Sequence, residues 1–217
     1  MSAVTEFFEA IEARFKRDWE ITDPLELLLW DPARDLFRDG ERVYRPGLNG
    51  PDVLAHLETL PFGSAGTESY RELLEYGSCG RLGCADFVLT DTPSFDAWTR
   101  AVRLGAELLD GATLLPIGSD ENASLICLHR VGEGPPVISL EDEGRLYVGL
   151  FSSFEAMLNV LAEMVRSDVI LYVERGCRPT PEQRALAARL CAMDPSGFGA
   201  VGWPQYFESF AGGIWGE

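Results

Sequence analysis

The residues best suited to metal binding or redox chemistry, cysteine and histidine, are few in this sequence and poorly spaced. Cys79 and Cys84 are separated by four residues near several glycines and could form half of a zinc site or a redox pair. A structural zinc ion needs four ligands. The other three cysteines and the two histidines supply no second pair at chelating spacing. We therefore predict no metal site.

Neither the histidines nor the glycine-rich segment indicates an enzyme. His129 ends a predicted strand and His56 lies on a predicted helix, and either could act as a general base. Neither is accompanied by a serine or cysteine motif of the nucleophile-elbow type. The loop Gly77–Gly83 resembles a phosphate loop in composition, but it follows a helix and lacks the Gly-Lys-Ser/Thr that contacts phosphate and magnesium. The sequence therefore predicts no catalytic residues and no cofactor.

Carboxylates are the reactive groups that the sequence has in excess, with 35 Asp and Glu against 18 Lys and Arg. Two groups of them are predicted to lie on adjacent turns, and neither has the alternating ligand spacing of a calcium loop. They are either exposed residues that keep the protein in solution or a docking surface for a basic partner. We call them the acidic turns: Asp120, Glu121, Glu141, Asp142 and Glu143.

The net charge of −17 limits the classes of partner. A chain this acidic repels nucleic-acid phosphates and anionic lipid headgroups, and it attracts basic proteins. The first residues carry acids where a secretory leader carries Lys or Arg, and no apolar run reaches the roughly 18 residues of a membrane helix. We expect a cytoplasmic protein with reduced cysteines, binding neither nucleic acid nor membrane.

The segment from Leu114 to Leu161 must position the acidic turns. It contains three short β-type runs, Ser124–His129, Pro136–Leu140 and Arg145–Leu150. Each run is bounded by Gly, Pro or acidic residues, which is typical of antiparallel strands. The pattern predicts a meander. Further strands are predicted at 87–90 and 168–173, and for the second run the continuation of a helix is the alternative.

Helical patterns surround these strands. Apolar residues at helical spacing predict an N-terminal helix that ends near Trp19. Ser152 and Glu155 have the spacing of a capping box and predict the start of a second helix. Thr180, followed by a proline and then Gln183, predicts a third. Other helices are predicted at 51–60, 69–76 and 94–109. The helix after Ser152 is expected to face the sheet with Phe154, Met157, Leu158 and Leu161.

These elements predict one α+β domain over residues 1–217, with a mostly antiparallel, curved central sheet of about five or six strands flanked by helices. Residues 166–217 form a C-terminal elaboration. Within it, the aromatic segment Phe198–Trp215 has too little regularity for a helix. We expect it to wrap over one face of the core. The alternative is an exposed aromatic patch that anchors a partner.

A series of short motifs follows a fixed order between residues 51 and 165. They are Leu60-Pro61, the helix 69–74 with Gly77, the run 115–120 centred on Pro116, the core run 125–128 with Cys127, Pro136-Val137, the acidic 141–143, and Ser153-Phe154 with Leu158. This order resembles the SUKH superfamily, which joins a yeast cell-wall-synthesis regulator to many bacterial immunity proteins. The chain departs from the family pattern in an insertion at 62–67, and in Asn122-Ala123-Ser124 where Gly-Asp is usual.

The resemblance implies an α+β fold with a curved sheet, no catalytic activity and, in bacteria, neutralisation of a cognate toxin. With the acidic turns, it leads us to expect an immunity protein whose five carboxylates dock a basic toxin domain such as a nuclease. A regulatory or scaffolding protein of the same fold without a toxin partner is the alternative from another class. A small-ligand binder is a third. The pattern indicates no particular oligomeric state.

Overall fold

The computed structural model describes residues 1–19, 67–76, 88–89, 101, 105, 114–119, 124–130, 134–142, 144–167, 169, 171 and 179–207. The predicted helices 51–60 and 94–109 and the predicted strand 168–173 lie wholly or mostly outside the described residues. Three members of the acidic turns, Asp120, Glu121 and Glu143, also lie outside them.

Five strands form one antiparallel sheet in the order in which they follow along the chain. The predicted meander and the α+β class are thereby confirmed. The three runs predicted within it match strands to within two residues at each end. The strands are β1 Val88–Leu89, β2 Leu114–Ser119, β3 Leu125–Arg130, β4 Pro136–Asp142 and β5 Arg145–Phe151.

The hairpin between β4 and β5 is tight. Asp142 pairs with Arg145, so the loop between them has two residues. Its second residue, Gly144, has φ of +84°, a conformation that glycine adopts without steric cost. Farther along, the register between the strands shifts between Ile138 and Leu140. This bulge lies beside Gly149, the other described glycine with positive φ.

Side chains alternate between the two faces of the sheet along each strand, and most described side chains on both faces are buried. One face, which we call the apolar face, joins the main core and consists of Leu115, Ile117, Ile126, Leu128, Ile138 and Leu140. The other, the polar face, mixes polar with apolar side chains and consists of Leu114, Leu125, Cys127, His129, Ser139 and Glu141.

Four α-helices are described around the apolar face: α1 Ala3–Trp19, α2 Glu68–Tyr76, α3 Phe154–Arg166 and α4 Pro181–Met193. Helix α1 packs along α3, which in turn contacts β4 and β5. The rings of Tyr70 and Phe154 meet edge to face with centroids 5.2 Å apart, which joins α2 to the start of α3. None of the described helices is both long and apolar enough to cross a membrane.

The start of α3 corrects the predicted capping box. The N-cap is Ser153, whose Oγ accepts a hydrogen bond from the Ala156 backbone N–H at 3.0 Å. The Ser152 N–H, which the predicted box would have paired with the Glu155 side chain, instead donates to a carboxylate elsewhere in the chain. The direction of the helix is as predicted: Phe154, Met157, Leu158 and Leu161 are all buried in the core.

Helix α4 begins as the sequence predicts. The Gln183 N–H donates to Thr180 Oγ1 at 3.2 Å, and the Thr180 N–H donates to Gln183 Oε1 at 2.8 Å. Pro181 occupies the first turn, where it needs no donor. This reciprocal box is local in sequence, which explains why it could be predicted.

The segment Phe198–Phe207 is a π-helix, so the prediction that it is not helical is wrong. Its first turn is irregular, since the Gly197 carbonyl accepts from three successive N–H groups, those of residues 200, 201 and 202. The expectation that this segment covers the core is confirmed for its described part. Phe198 and Trp203 are buried, and the Phe198 ring stacks on Phe151 with centroids 5.7 Å apart. Residues 208–215 lie outside the described chain.

Candidate functional site

The two segments that carry the acidic turns leave the sheet at the same end. Leu125, the first residue of β3, pairs with Ser119 at the end of β2 and with Glu141 near the end of β4. The ends of β2 and β4 therefore lie on either side of the start of β3. We call this part of the sheet the acidic end: Ser119, Ser124, Leu125, Glu141 and Asp142.

Glu141 is not an exposed turn residue as predicted. It belongs to β4, is 2% exposed and lies on the polar face. Its Oε1 accepts a hydrogen bond from the Gly144 N–H at 2.7 Å, which holds the β4–β5 turn. A hydrogen bond to an ionised carboxylate is among the stronger ones in proteins. Glu141 therefore stabilises the turn and is not part of the accessible surface.

Asp142 remains half-buried and joins two strands at the acidic end. Its Oδ1 accepts a hydrogen bond from the hydroxyl of Ser124, just before β3, at 2.9 Å. This contact links the segment that leads into β3 to the segment that leaves β4. Of the two members of the acidic turns that the structure describes, Asp142 is the one that lies partly in solvent.

A histidine and a serine are in contact on the polar face. His129 Nδ1 on β3 lies 3.1 Å from Ser139 Oγ on β4, and both residues are buried. The Gly149 N–H on β5 donates to the same Oγ at 3.2 Å. Burial lowers the pKa of His129 from its ordinary value of 6.5, because desolvation disfavours the imidazolium.

Contact between serine and histidine is the arrangement that activates a nucleophile in many hydrolases. Here Ser139 has no exposed surface, and its oxygen already accepts a hydrogen bond from β5. What the pair does in this geometry is connect three adjacent strands. Sequence reasoning considered His129 alone, because its partner Ser139 becomes visible only once the register of β3 against β4 is known.

The described residues contain no group of three or more His, Cys, Asp and Glu side chains close enough together to hold a metal ion. Within the same ranges, the cysteines Cys127 and Cys191 form no disulfide bond. Cys127 is buried on the polar face and Cys191 packs against the main core. Cys79 and Cys84, the pair considered for zinc, lie outside the described residues.

Sequence reasoning missed Asp194, a buried carboxylate that is 2% exposed. Its Oδ2 accepts from the N–H groups of Ser152 at 2.9 Å and Phe198 at 3.0 Å, and its Oδ1 accepts from Gly197 N–H at 3.2 Å. One side chain thus joins the end of α4, the π-helix and the junction between β5 and α3. The available signal was an acidic residue at a helix C-terminus, where the helix dipole disfavours it.

Comparison with protein-family models, with curated proteins and with solved structures gave no match.

Proposed function

We propose that this chain is a non-catalytic, cytoplasmic immunity protein of SUKH type that binds a basic toxin domain at the acidic end of the sheet. The observation that carries the proposal is the pairing of Leu125 with both Ser119 and Glu141. Because of this pairing, two acidic segments that are distant in sequence follow strand ends at the same end of the sheet, on either side of β3. Their charges would act on one partner.

The charge of the whole molecule supports the same function. A net charge of −17 attracts a basic domain over long distance and accelerates its capture, while nearby carboxylates fix its orientation. Many toxins that act on nucleic acid are basic because their substrate is a polyanion. An acidic protein bound over such a substrate channel would exclude the substrate by occupying the same surface.

The structure removes one of the five predicted carboxylates from the proposed contact with the toxin. Glu141 is buried and bonded to Gly144, so it is not expected to touch the partner. The contact set of the proposal is Asp120, Glu121, Asp142 and Glu143. Within it, Asp142 is tied to Ser124, which holds this carboxylate in one place before the partner arrives. A preorganised group loses less entropy on binding than a mobile one.

The test is co-expression with the toxin domain encoded beside this gene, followed by calorimetric titration of the two purified proteins at several salt concentrations. We expect rescue of growth and an affinity that falls as salt rises. The triple variant Asp120→Lys, Glu121→Lys and Glu143→Lys should abolish rescue and weaken binding by at least about tenfold, the change that roughly 1.4 kcal/mol produces.

A matched control reverses three charges on helices: Glu9→Lys, Glu68→Lys and Glu155→Lys, all at exposed positions. It changes the net charge equally, so equal loss of binding in both variants would assign the effect to overall charge and contradict docking at the acidic end. Absence of any complex with the neighbouring toxin would contradict the immunity function. Binding without rescue would favour the scaffolding alternative.

A further inference from the structure

The π-helix lies against the outer edge of β5. A methyl group built at Gly202 would be 2.7 Å from the carbonyl oxygen of Leu150, so the two backbones are in direct contact. Carbonyl groups of a strand point sideways within the sheet and not out of its faces. Contact with the Leu150 oxygen therefore places this part of the π-helix beside the strand, at the position that another strand would take.

Strand β5 is the last strand in the order of the sheet, and among the described strands it pairs with β4 alone. The stretch Leu146–Phe151 carries no charge and no proline. Such a strand has a high tendency to pair with another strand when its edge is open. Natural proteins oppose that tendency by covering the edge, and the π-helix supplies a cover.

We propose that the π-helix covers the edge of β5. When the π-helix is displaced, β5 pairs with β5 of a second copy of the chain. The second copy is the fitting occupant because it offers the same uncharged stretch in an otherwise acidic chain. Two sets of contacts hold the π-helix in place. They are the hydrogen bonds of the Asp194 carboxylate to Ser152 and Phe198, and the stacking of Phe198 on Phe151.

The association of two copies through β5 should depend on salt in the opposite way to the binding of a basic partner. Each copy carries −17, so repulsion opposes the association of two copies at low salt and weakens as salt rises. Pairing through β5 should therefore increase with salt, whereas docking of a basic partner at the acidic end should decrease. The two proposals rest on different parts of the sheet and can fail independently.

The test uses Gly202→Val in the full chain, which pushes the π-helix away from Leu150. Gly199→Ala is the control, since its methyl group would meet the Cys191 carbonyl of α4 at 2.8 Å and strain the same segment without touching β5. Molar mass is measured by light scattering at low and high salt, and folding by circular dichroism. We expect a doubled mass for Gly202→Val at high salt and the wild-type mass for Gly199→Ala.

Adding Val148→Glu to Gly202→Val should restore the wild-type mass, because a charged side chain within an edge strand opposes its pairing with another strand. A folded Gly202→Val protein with the wild-type mass contradicts the proposal, as does equal association of the Gly199→Ala control. Persistent association after Val148→Glu also contradicts it.

Should Gly202→Val fail to fold, Trp203→Ala is the second variant, because it loosens the π-helix by removing a ring from Phe198 instead of adding atoms. A doubled mass in this variant supports the proposal, and a wild-type mass contradicts it. Failure of both variants to fold would also overturn it, since the π-helix would then be inseparable from the folded sheet.

Discussion

The two faces of the central sheet are both buried and are stabilised by different interactions. On the apolar face, Ile138 and Leu140 of β4 pack into the main hydrophobic core. On the polar face, Ser139 and Glu141 of the same strand are held by hydrogen bonds to β5 and its turn. Side chains on the two faces are similarly buried but respond to different kinds of substitution. The apolar face depends on shape and volume, and the polar face depends on each donor keeping its acceptor.

The largest effect is expected on the apolar face. Leu140→Ala removes a side chain with no exposed surface and leaves a cavity, so the free energy of unfolding should fall by about 2–5 kcal/mol. Urea unfolding followed by circular dichroism measures this change. Leu140→Met keeps most of the volume and should cost less than about 1.5 kcal/mol. Equal losses for the two variants would show that volume is not what matters on this face.

A smaller loss is expected for Ser139→Ala on the polar face. The substitution leaves the half-buried Gly149 N–H and the buried His129 Nδ1 without the hydroxyl they contact. Leaving a buried polar group unsatisfied costs about 1–3 kcal/mol. The same urea experiment applies, with the exposed Ser196→Ala as the control, whose effect should be within about 0.5 kcal/mol. If Ser139→Ala left the free energy of unfolding unchanged, the hydroxyl would not contribute to stability.

The polar face should also make stability depend on pH. Burial lowers the pKa of folded His129 below 6.5, so the unfolded chain takes up the proton at higher pH than the folded one. The contribution of His129 is therefore complete above about pH 6.5 and is lost as the pH falls towards the folded pKa. Unfolding curves of wild type and His129→Asn, whose amide oxygen can still face Ser139, should differ in slope over this range. Parallel pH profiles would be evidence against a buried neutral histidine.

The smallest effect is expected for Glu141→Gln. The amide oxygen can still accept from the Gly144 N–H, so only the charge is lost, and the stability change should be below about 1 kcal/mol. Glu141→Ala removes the acceptor itself and should cost about 1.5–3 kcal/mol. Because the side chain is buried, neither variant should change the salt dependence of partner binding. A Gln variant as unstable as the Ala variant would indicate that the charge, not the acceptor, holds the turn.

Local signals explain what could be predicted of this fold. The strands of the meander and the Thr180 box depend on neighbours in sequence, and both are where the sequence predicts them. Alternation along β4 correctly separates Leu140 from Glu141. It does not say that the face carrying Glu141 is covered, and so the predicted exposure of this residue was wrong.

The remaining errors come from contacts between distant parts of the chain. Both Ser152 and Ser153 can start a helix. The predicted box would have paired the Ser152 N–H with Glu155, and this N–H is bonded to Asp194, 42 residues away. Nothing near either residue encodes that contact. The π-helix was missed for a related reason, since its glycines and aromatic rings have no local period and are ordered by packing on Phe151 and Leu150.

The Asp194 carboxylate has a consequence for the order in which the chain folds. Synthesis proceeds from the N-terminus, so β5 and the start of α3 exist well before Asp194 is added. Until then the Ser152 N–H lacks this acceptor and the Phe151 ring lacks Phe198. Closing a loop of this length costs entropy that only the final contacts repay. We therefore expect the C-terminal segment to dock last during folding and to detach first during unfolding.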